Sequence, residues 1–167
     1  MFRVFLGTVA AWLLGVQLAF AQGTVILVRH AERADARAGA RPTMDTDPDL
    51  SDAGRQRAES LAAILKDAGI TAVFVTEYKR TQQTAAPLAQ LLGLTPVSIA
   101  AKDVLALVAR LEQTHGNALV VGHSNTVPEV ITALGVTKNV TIAEDEYDSL
   151  FVVSPASSRQ VMRLRFR

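Results

Sequence analysis

Residues 24–33 read Thr-Val-Ile-Leu-Val-Arg-His-Ala-Glu-Arg, and we expect the fold to be arranged around this stretch. Residues 24–28 are all β-branched or leucine, an apolar run typical of a buried strand. The run stops at Arg29 and His30, so a guanidinium and an imidazole follow the carboxyl end of the predicted strand. Ligands of open α/β sheets bind in the crevice outside such strand ends. The stretch therefore predicts a buried strand that leads into a binding site.

A second apolar run, residues 117–123, reads Asn-Ala-Leu-Val-Val-Gly-His and also ends in a histidine. Two strands that each deliver a histidine to one edge of a sheet predict a single site containing His30 and His123.

Helical and strand patterns alternate along the rest of the chain. Helices are predicted over residues 51–68, with Ser51 as N-cap, and over residues 80–92, 102–114 and about 128–135. Further strands are predicted over residues 72–76 and 96–99, with an antiparallel pair over residues 148–154 and 160–167. This order predicts an α/β fold, a three-layer α/β/α sandwich with a mostly parallel sheet and an antiparallel C-terminal edge pair.

Residues 1–21 have the pattern of a secretory signal peptide. Arg3 gives a positive start, residues 4–14 are mostly apolar, and residues 19–21 read Ala-Phe-Ala, a cleavage-site pattern. The alternative is an uncleaved anchor, since the segment is nearly long enough to span a membrane. We expect cleavage, which leaves a single domain from Gln22 to the end, without a stable membrane span, in the periplasm or secreted.

Charge and cysteine content exclude several function classes. The chain has 17 Lys and Arg against 16 Asp and Glu. Without Arg3 the balance is neutral, which argues against nucleic acid as a partner. There is no cysteine, so a disulfide, a thiolate nucleophile and a cysteine metal site are all excluded.

Four side chains carry the predicted chemistry: Arg29, His30, Arg80 and His123. The planar guanidinium binds phosphate through two parallel hydrogen bonds, and two arginines neutralise a dianion. A neutral imidazole can attack phosphorus, and a second histidine can donate hydrogen bonds to the charged oxygens. Each feature alone has a structural explanation, such as a helix cap for His123. A zinc site formed by His30, Glu32 and His123 is disfavoured because two arginines would repel the cation.

These residues lie in four segments that resemble the motifs of the histidine phosphatase superfamily, the phosphoglycerate-mutase-like proteins. Residues 29–32 (RHAE) are similar to its RHG/RHA signature, and residues 50–58 (LSDAGRQRA) to its L-S-x-x-G-x-x-x-A helix start. Residues 75–85 resemble its S-x-x-x-R-x-x-x-T-A segment, with Thr76 in place of the usual serine. Residues 122–126 (GHSNT) match its segment around the second histidine. The segments occur in the family's order.

The resemblance implies that His30 is the phosphorylated nucleophile. It also implies that Arg29 and Arg80 bind the phosphoryl oxygens and that His123 completes the pocket. Family members need no metal and no organic cofactor for hydrolysis, and their usual fold is the three-layer one.

The general acid is not fixed by the motifs. Many members carry a carboxyl group in an insertion after the second-arginine helix, for which this chain has no room, and other branches use an aspartate where Ser124 stands. We predict Glu129, at the start of the helix after His123, although its alternative role is to complement the helix dipole. Glu77 is a second candidate at the rim of the substrate site, and Glu32 is expected to orient neighbouring basic groups.

The sequence therefore predicts an exported, metal-independent phosphatase that acts on a small-molecule phosphomonoester. A non-catalytic phosphate-binding module of the same fold is the alternative, and a phosphomutase is a weaker one because the short chain lacks capping insertions. Residues 34–50 are predicted to be a long loop over the strand ends, or in their middle a disordered excursion, and to select the substrate together with residues 77–79. The sequence specifies no oligomeric state.

Overall fold

The computed structural model describes residues 22–35, 47–154 and 159–166. The predicted signal peptide, the middle of the predicted loop and part of the predicted C-terminal turn lie outside these residues. The elements are, in chain order, β1 (Gln22–Arg29), α1 (Asp52–Leu65), β2 (Ile70–Val75), α2 (Lys79–Leu92), β3 (Val97–Ser98), α3 (Val104–Glu112), β4 (Gly116–Gly122), α4 (Thr126–Ala133), β5 (Ser149–Val153) and β6 (Val161–Arg165). None of the described helices is both long enough and apolar enough to cross a membrane.

One six-stranded sheet runs in the order β3-β2-β4-β1-β5-β6. The first four strands of this order pair in parallel, whereas β5 is antiparallel to both β1 and β6. The predicted fold class is therefore confirmed, including the antiparallel C-terminal pair. Strand β1, which contains the apolar residues 24–28, lies inside the sheet between β4 and β5.

Side chains alternate between two apolar layers along the central strands. On β1, Ile26 and Val28 pack into the layer that includes Leu61 of α1 and Leu88 of α2. Leu27 points to the opposite face, into the layer that contains residues of α3 and α4. Both faces of the sheet are thus covered by helices, which explains why the central strands read as unbroken apolar runs.

The start of α1 is fixed against the segment that follows His30. As predicted, Ser51 is the N-cap, and its hydroxyl oxygen accepts a hydrogen bond from the Gly54 amide at 3.1 Å. The Ser51 amide donates to the Glu32 carbonyl oxygen at 2.9 Å. A Cβ atom on Gly54 would lie 2.2 Å from that same oxygen. Glycine is therefore needed here because the helix touches the backbone beside the candidate site.

We expect Gly54→Ala to destabilise the protein. Helix propensity alone favours alanine by about 1 kcal/mol, but the clash with a backbone oxygen costs more, so the free energy of unfolding should fall by about 2 kcal/mol. Urea denaturation measures this change. Glu59→Ala, an exposed position on the same helix, should stay within about 0.5 kcal/mol of wild type. A Gly54→Ala protein more stable than wild type would contradict the packing described.

Candidate active site

The parallel pairing of β1 with β4 brings the two predicted histidines together. Arg29 is aligned with Gly122, and the His30 amide extends the ladder by donating to the Gly122 carbonyl oxygen at 2.9 Å. His123 is the next residue after β4. The ring centroids of His30 and His123 lie 5.3 Å apart, and both residues are buried. The structure thus brings the predicted pair into one pocket.

His30 is held in the protonation state of a nucleophile. Its Nδ1 lies 2.8 Å from the carbonyl oxygen of Ala31, an atom that can only accept, so Nδ1 carries the proton and Nε2 keeps its lone pair. Burial is the main cause that lowers the pKa of His30 to about 2; the Ala31 hydrogen bond raises it, and His123, Arg29 and Arg80 lower it. The ring is therefore neutral at ordinary pH.

The His123 ring is held in place by a buried hydrogen bond with Thr76. Its Nε2 lies 3.1 Å from the Thr76 hydroxyl, which in turn lies 3.0 Å from the hydroxyl of Thr81. Its Nδ1 is buried and has no hydrogen-bond partner among the described residues. Burial, followed by the charges of Arg80 and Arg29, lowers the pKa of His123 to about 3. An anion beside this ring would supply the missing partner.

Arg29 is anchored through one nitrogen and leaves its opposite edge available. Nη1 donates to the carbonyl oxygens of Ala143 and Glu144 at 2.9 and 2.8 Å. Within the described residues, Nη2 makes two long contacts, with the Glu144 carboxylate at 3.4 Å and the Tyr147 hydroxyl at 3.5 Å. Nε is buried and has no hydrogen-bond partner in the described part of the chain. Nε and Nη2 form one edge of the guanidinium, the arrangement that binds two phosphate oxygens at once.

Arg80 is delivered to the pocket by the first turn of α2. It is 1% exposed, and its guanidinium lies 4.1 Å from the ring centroid of Tyr78. Its Nη1 is 3.5 Å from an Asp47 carboxylate oxygen. Burial and the nearby charge of Arg33 lower the pKa of Arg80, against the effect of Asp47. The α2 helix thus carries a second buried cation to the two histidines.

Three pocket residues were not singled out by the sequence analysis. Arg33 is buried, and it donates through Nε and Nη2 to the Asp35 carboxylate at 2.9 and 2.7 Å. The Tyr78 ring lies 5.3 Å from that of His123, and the Tyr147 ring lies 6.1 Å from that of His30. Arg33 follows the first motif closely in the sequence, and a further basic residue at that place was a usable signal. No pattern marked the two tyrosines.

The three carboxylates predicted to have a role differ in their surroundings. Glu77 is exposed, and its carboxylate accepts a hydrogen bond from the Ala101 amide at 2.8 Å. Glu129 is exposed on α4. Both roles stay predictions. Glu32 forms an ion pair with Arg57 at 2.6 Å, and this contact raises the pKa of Arg57. Among the described residues, no group of three potential ligands is arranged to hold a metal ion.

The fold and site together define a class: an α/β domain that gathers two neutral histidines and buried guanidinium groups at the carboxyl ends of parallel strands. The model of the histidine phosphatase superfamily (branch 1) matches residues 25–105. No curated protein matches the sequence.

Solved structures share the fold. A mycobacterial glucosyl-3-phosphoglycerate phosphatase in complex with VO3 superposes with a TM-score of 0.67 at 16% identity, over 86% of this chain and 98% of that one. The protein histidine phosphatase SixA in complex with tungstate gives 0.64 at 18% identity, over 85% and 96%. The family match and the shared fold confirm the predicted resemblance to the histidine phosphatase superfamily.

The buried, neutral state of His30 predicts a distinctive pH dependence of stability. In the unfolded chain this histidine has its ordinary pKa of 6.5, whereas in the folded protein the pKa is about 2. Between these values the unfolded state binds more protons, so the free energy of unfolding falls as the pH falls.

We expect His30→Asn to lose the part of the pH dependence of stability that His30 contributes. Between about pH 6 and pH 4, its free energy of unfolding should fall less steeply with decreasing pH than that of wild type. The difference between the two slopes should be about 1.4 kcal/mol per pH unit. Urea denaturation at several pH values measures both slopes. Parallel curves for the two proteins would show that His30 is not buried in its neutral form.

Proposed function

We propose that this protein is a phosphatase that hydrolyses a phosphomonoester through a phosphohistidine intermediate on His30. The observation that carries the proposal is the hydrogen bond from His30 Nδ1 to the Ala31 carbonyl oxygen. It leaves the lone pair of Nε2 available in a pocket where Arg29 and Arg80 are buried beside it. A poised nucleophile and preorganised cations are what phosphoryl transfer requires.

In the first step, His30 Nε2 attacks phosphorus in line with the ester oxygen of the leaving group. The nitrogen–phosphorus bond forms as the phosphorus–oxygen bond breaks, and the leaving oxygen takes up a proton. In the second step, water attacks phosphorus and the nitrogen–phosphorus bond breaks, which releases inorganic phosphate and returns the electron pair to Nε2.

Arg29, Arg80 and His123 hold the transferred group in this mechanism. The Nε–Nη2 edge of Arg29 binds two oxygens, and the Arg80 guanidinium binds a further one. His123 Nδ1, buried without a partner among the described residues, donates to an oxygen once the entering dianion favours a proton on the ring. Fixed donors of this kind stabilise the charge of the transition state without reorganisation.

The substrate is proposed to be a small phosphorylated molecule, and the site of action the periplasm or the exterior of the cell. The pattern of residues 1–21 supports export, and the neutral charge of the remaining chain argues against a nucleic-acid partner. A phosphomutase is disfavoured because the described part of the chain contains no capping insertion to retain a doubly phosphorylated intermediate.

We expect His30→Ala to lose hydrolysis of p-nitrophenyl phosphate by at least roughly 1,000-fold, because the nucleophile is removed. The exposed His115→Ala is the matched control, since it removes the histidine that lies outside the pocket, and it should keep wild-type activity. A phosphorylated protein should be detected by mass spectrometry after an alkaline quench of wild type and be missing from His30→Ala.

The rival function is a non-catalytic module that binds a phosphorylated ligand in the same pocket. It is favoured by the exposed positions of Glu129 and Glu77, which leave the general acid unassigned. Wild-type protein that binds inorganic phosphate but hydrolyses no phosphomonoester would establish the module and contradict the phosphatase.

A further inference from the structure

Glu144 contacts Arg29, which precedes His30 in the sequence, and Ser124, which follows His123. It lies in the segment between α4 and β5. One carboxylate oxygen accepts a hydrogen bond at 3.1 Å from the hydroxyl of Ser124, the residue after His123. The other oxygen lies 3.4 Å from Nη2 of Arg29, the residue before His30. The carboxylate therefore links Arg29, at the end of β1, to Ser124, just after the end of β4.

The backbone around Glu144 is held in place by Arg29. The Arg29 Nη1 donates to the carbonyl oxygens of Ala143, Glu144 and Glu146 at distances between 2.8 and 3.2 Å. The guanidinium also lies 4.2 Å from the ring centroid of Tyr147, whose ring borders His30. The position of this segment therefore depends on the arginine that is proposed to bind the phosphoryl group.

A phosphate dianion would compete with Glu144 for Nη2 of Arg29. The contact with Glu144 is long, and the Glu144 side chain is 66% exposed. A phosphate oxygen can therefore replace the carboxylate without disrupting packed structure. Once phosphate oxygens occupy the Nε–Nη2 edge, the carboxylate loses its cation and lies beside a dianion. Uptake of a proton from solvent relieves the repulsion between the like charges.

We infer that Glu144 is the catalytic acid that protonates the leaving oxygen, an assignment that rests on the proposed phosphatase function. The proton passes from the Glu144 carboxyl group to the ester oxygen as the phosphorus–oxygen bond breaks and His30 Nε2 bonds to phosphorus. The resulting carboxylate then accepts a proton from the water that attacks the phosphohistidine. Glu144 thus ends the cycle protonated and exchanges that proton with solvent.

The other carboxylates beside the pocket are occupied. Both oxygens of Asp35 accept hydrogen bonds from the Arg33 guanidinium. Both oxygens of Asp47 accept from the Lys79 amide at the start of α2, at 2.9 and 3.2 Å. Glu129 is exposed, and the exposed Glu77 carboxylate accepts a hydrogen bond from the Ala101 amide. Glu144 is the carboxylate in the described part of the chain that contacts neighbours of both histidines.

Two esters with different leaving groups test this assignment. The p-nitrophenolate ion leaves without protonation, whereas the leaving group of phenyl phosphate gains much more from an acid. We expect Glu144→Gln to lower kcat/KM for phenyl phosphate by roughly 100-fold and for p-nitrophenyl phosphate by less than about 3-fold. Asp145→Asn changes the neighbouring exposed carboxylate and should leave both values within about 2-fold of wild type.

Equal slowing of both esters by Glu144→Gln would overturn the assignment while leaving the phosphatase intact. A selective loss on phenyl phosphate in Asp47→Asn or Glu129→Gln, with Glu144→Gln unaffected, would also overturn it. A wild-type protein that hydrolyses neither ester would instead overturn the proposed function together with this inference.

Discussion

The hydrogen bond from the His30 amide to the Gly122 carbonyl oxygen is the constraint on which the candidate site depends. It extends the parallel ladder between β1 and β4 by one residue, so both histidines emerge at the same level of the sheet. A shift of one residue in this register would turn one imidazole to the other face. The buried alternation of Ile26, Leu27 and Val28 between two apolar layers opposes such a shift.

Burying arginine side chains costs free energy, and nearby carboxylates offset part of this cost. Removing an unpaired charge from water costs several kcal/mol. Three buried arginines of the described chain form ion pairs with carboxylates that are at least one-third exposed: Arg29–Glu144, Arg33–Asp35 and Arg80–Asp47. These ion pairs offset part of the cost of burial, and the long 3.4 Å contact between Arg29 and Glu144 still allows an oxyanion to replace that carboxylate. Burial, with a smaller contribution from these cations, keeps both histidines neutral, and a neutral imidazole is the form that attacks phosphorus.

The architecture could be predicted from the sequence because periodicity and strand-end residues are local signals. Residues 24–28 and 117–123 indicated the two central strands, and Ser51 marked the start of α1. The part that was missed depends on loops: the contacts between Arg29 and residues 143–147 join positions more than 110 residues apart. No local sequence pattern encodes a contact between residues so far apart along the chain, so only the structure shows that Glu144 and Tyr147 contact Arg29. Glu129 was predicted as the acid from chain proximity to His123 alone, which does not determine where its side chain lies.

The most direct test of the account is a crystal structure of the protein grown with orthovanadate, a mimic of the phosphoryl group in transfer. We expect vanadium to be bonded to His30 Nε2, with its oxygens contacted by the Nε–Nη2 edge of Arg29, by Arg80 and by His123. A well-ordered crystal in which vanadate binds elsewhere, while His30 Nε2 faces only protein atoms, would contradict it.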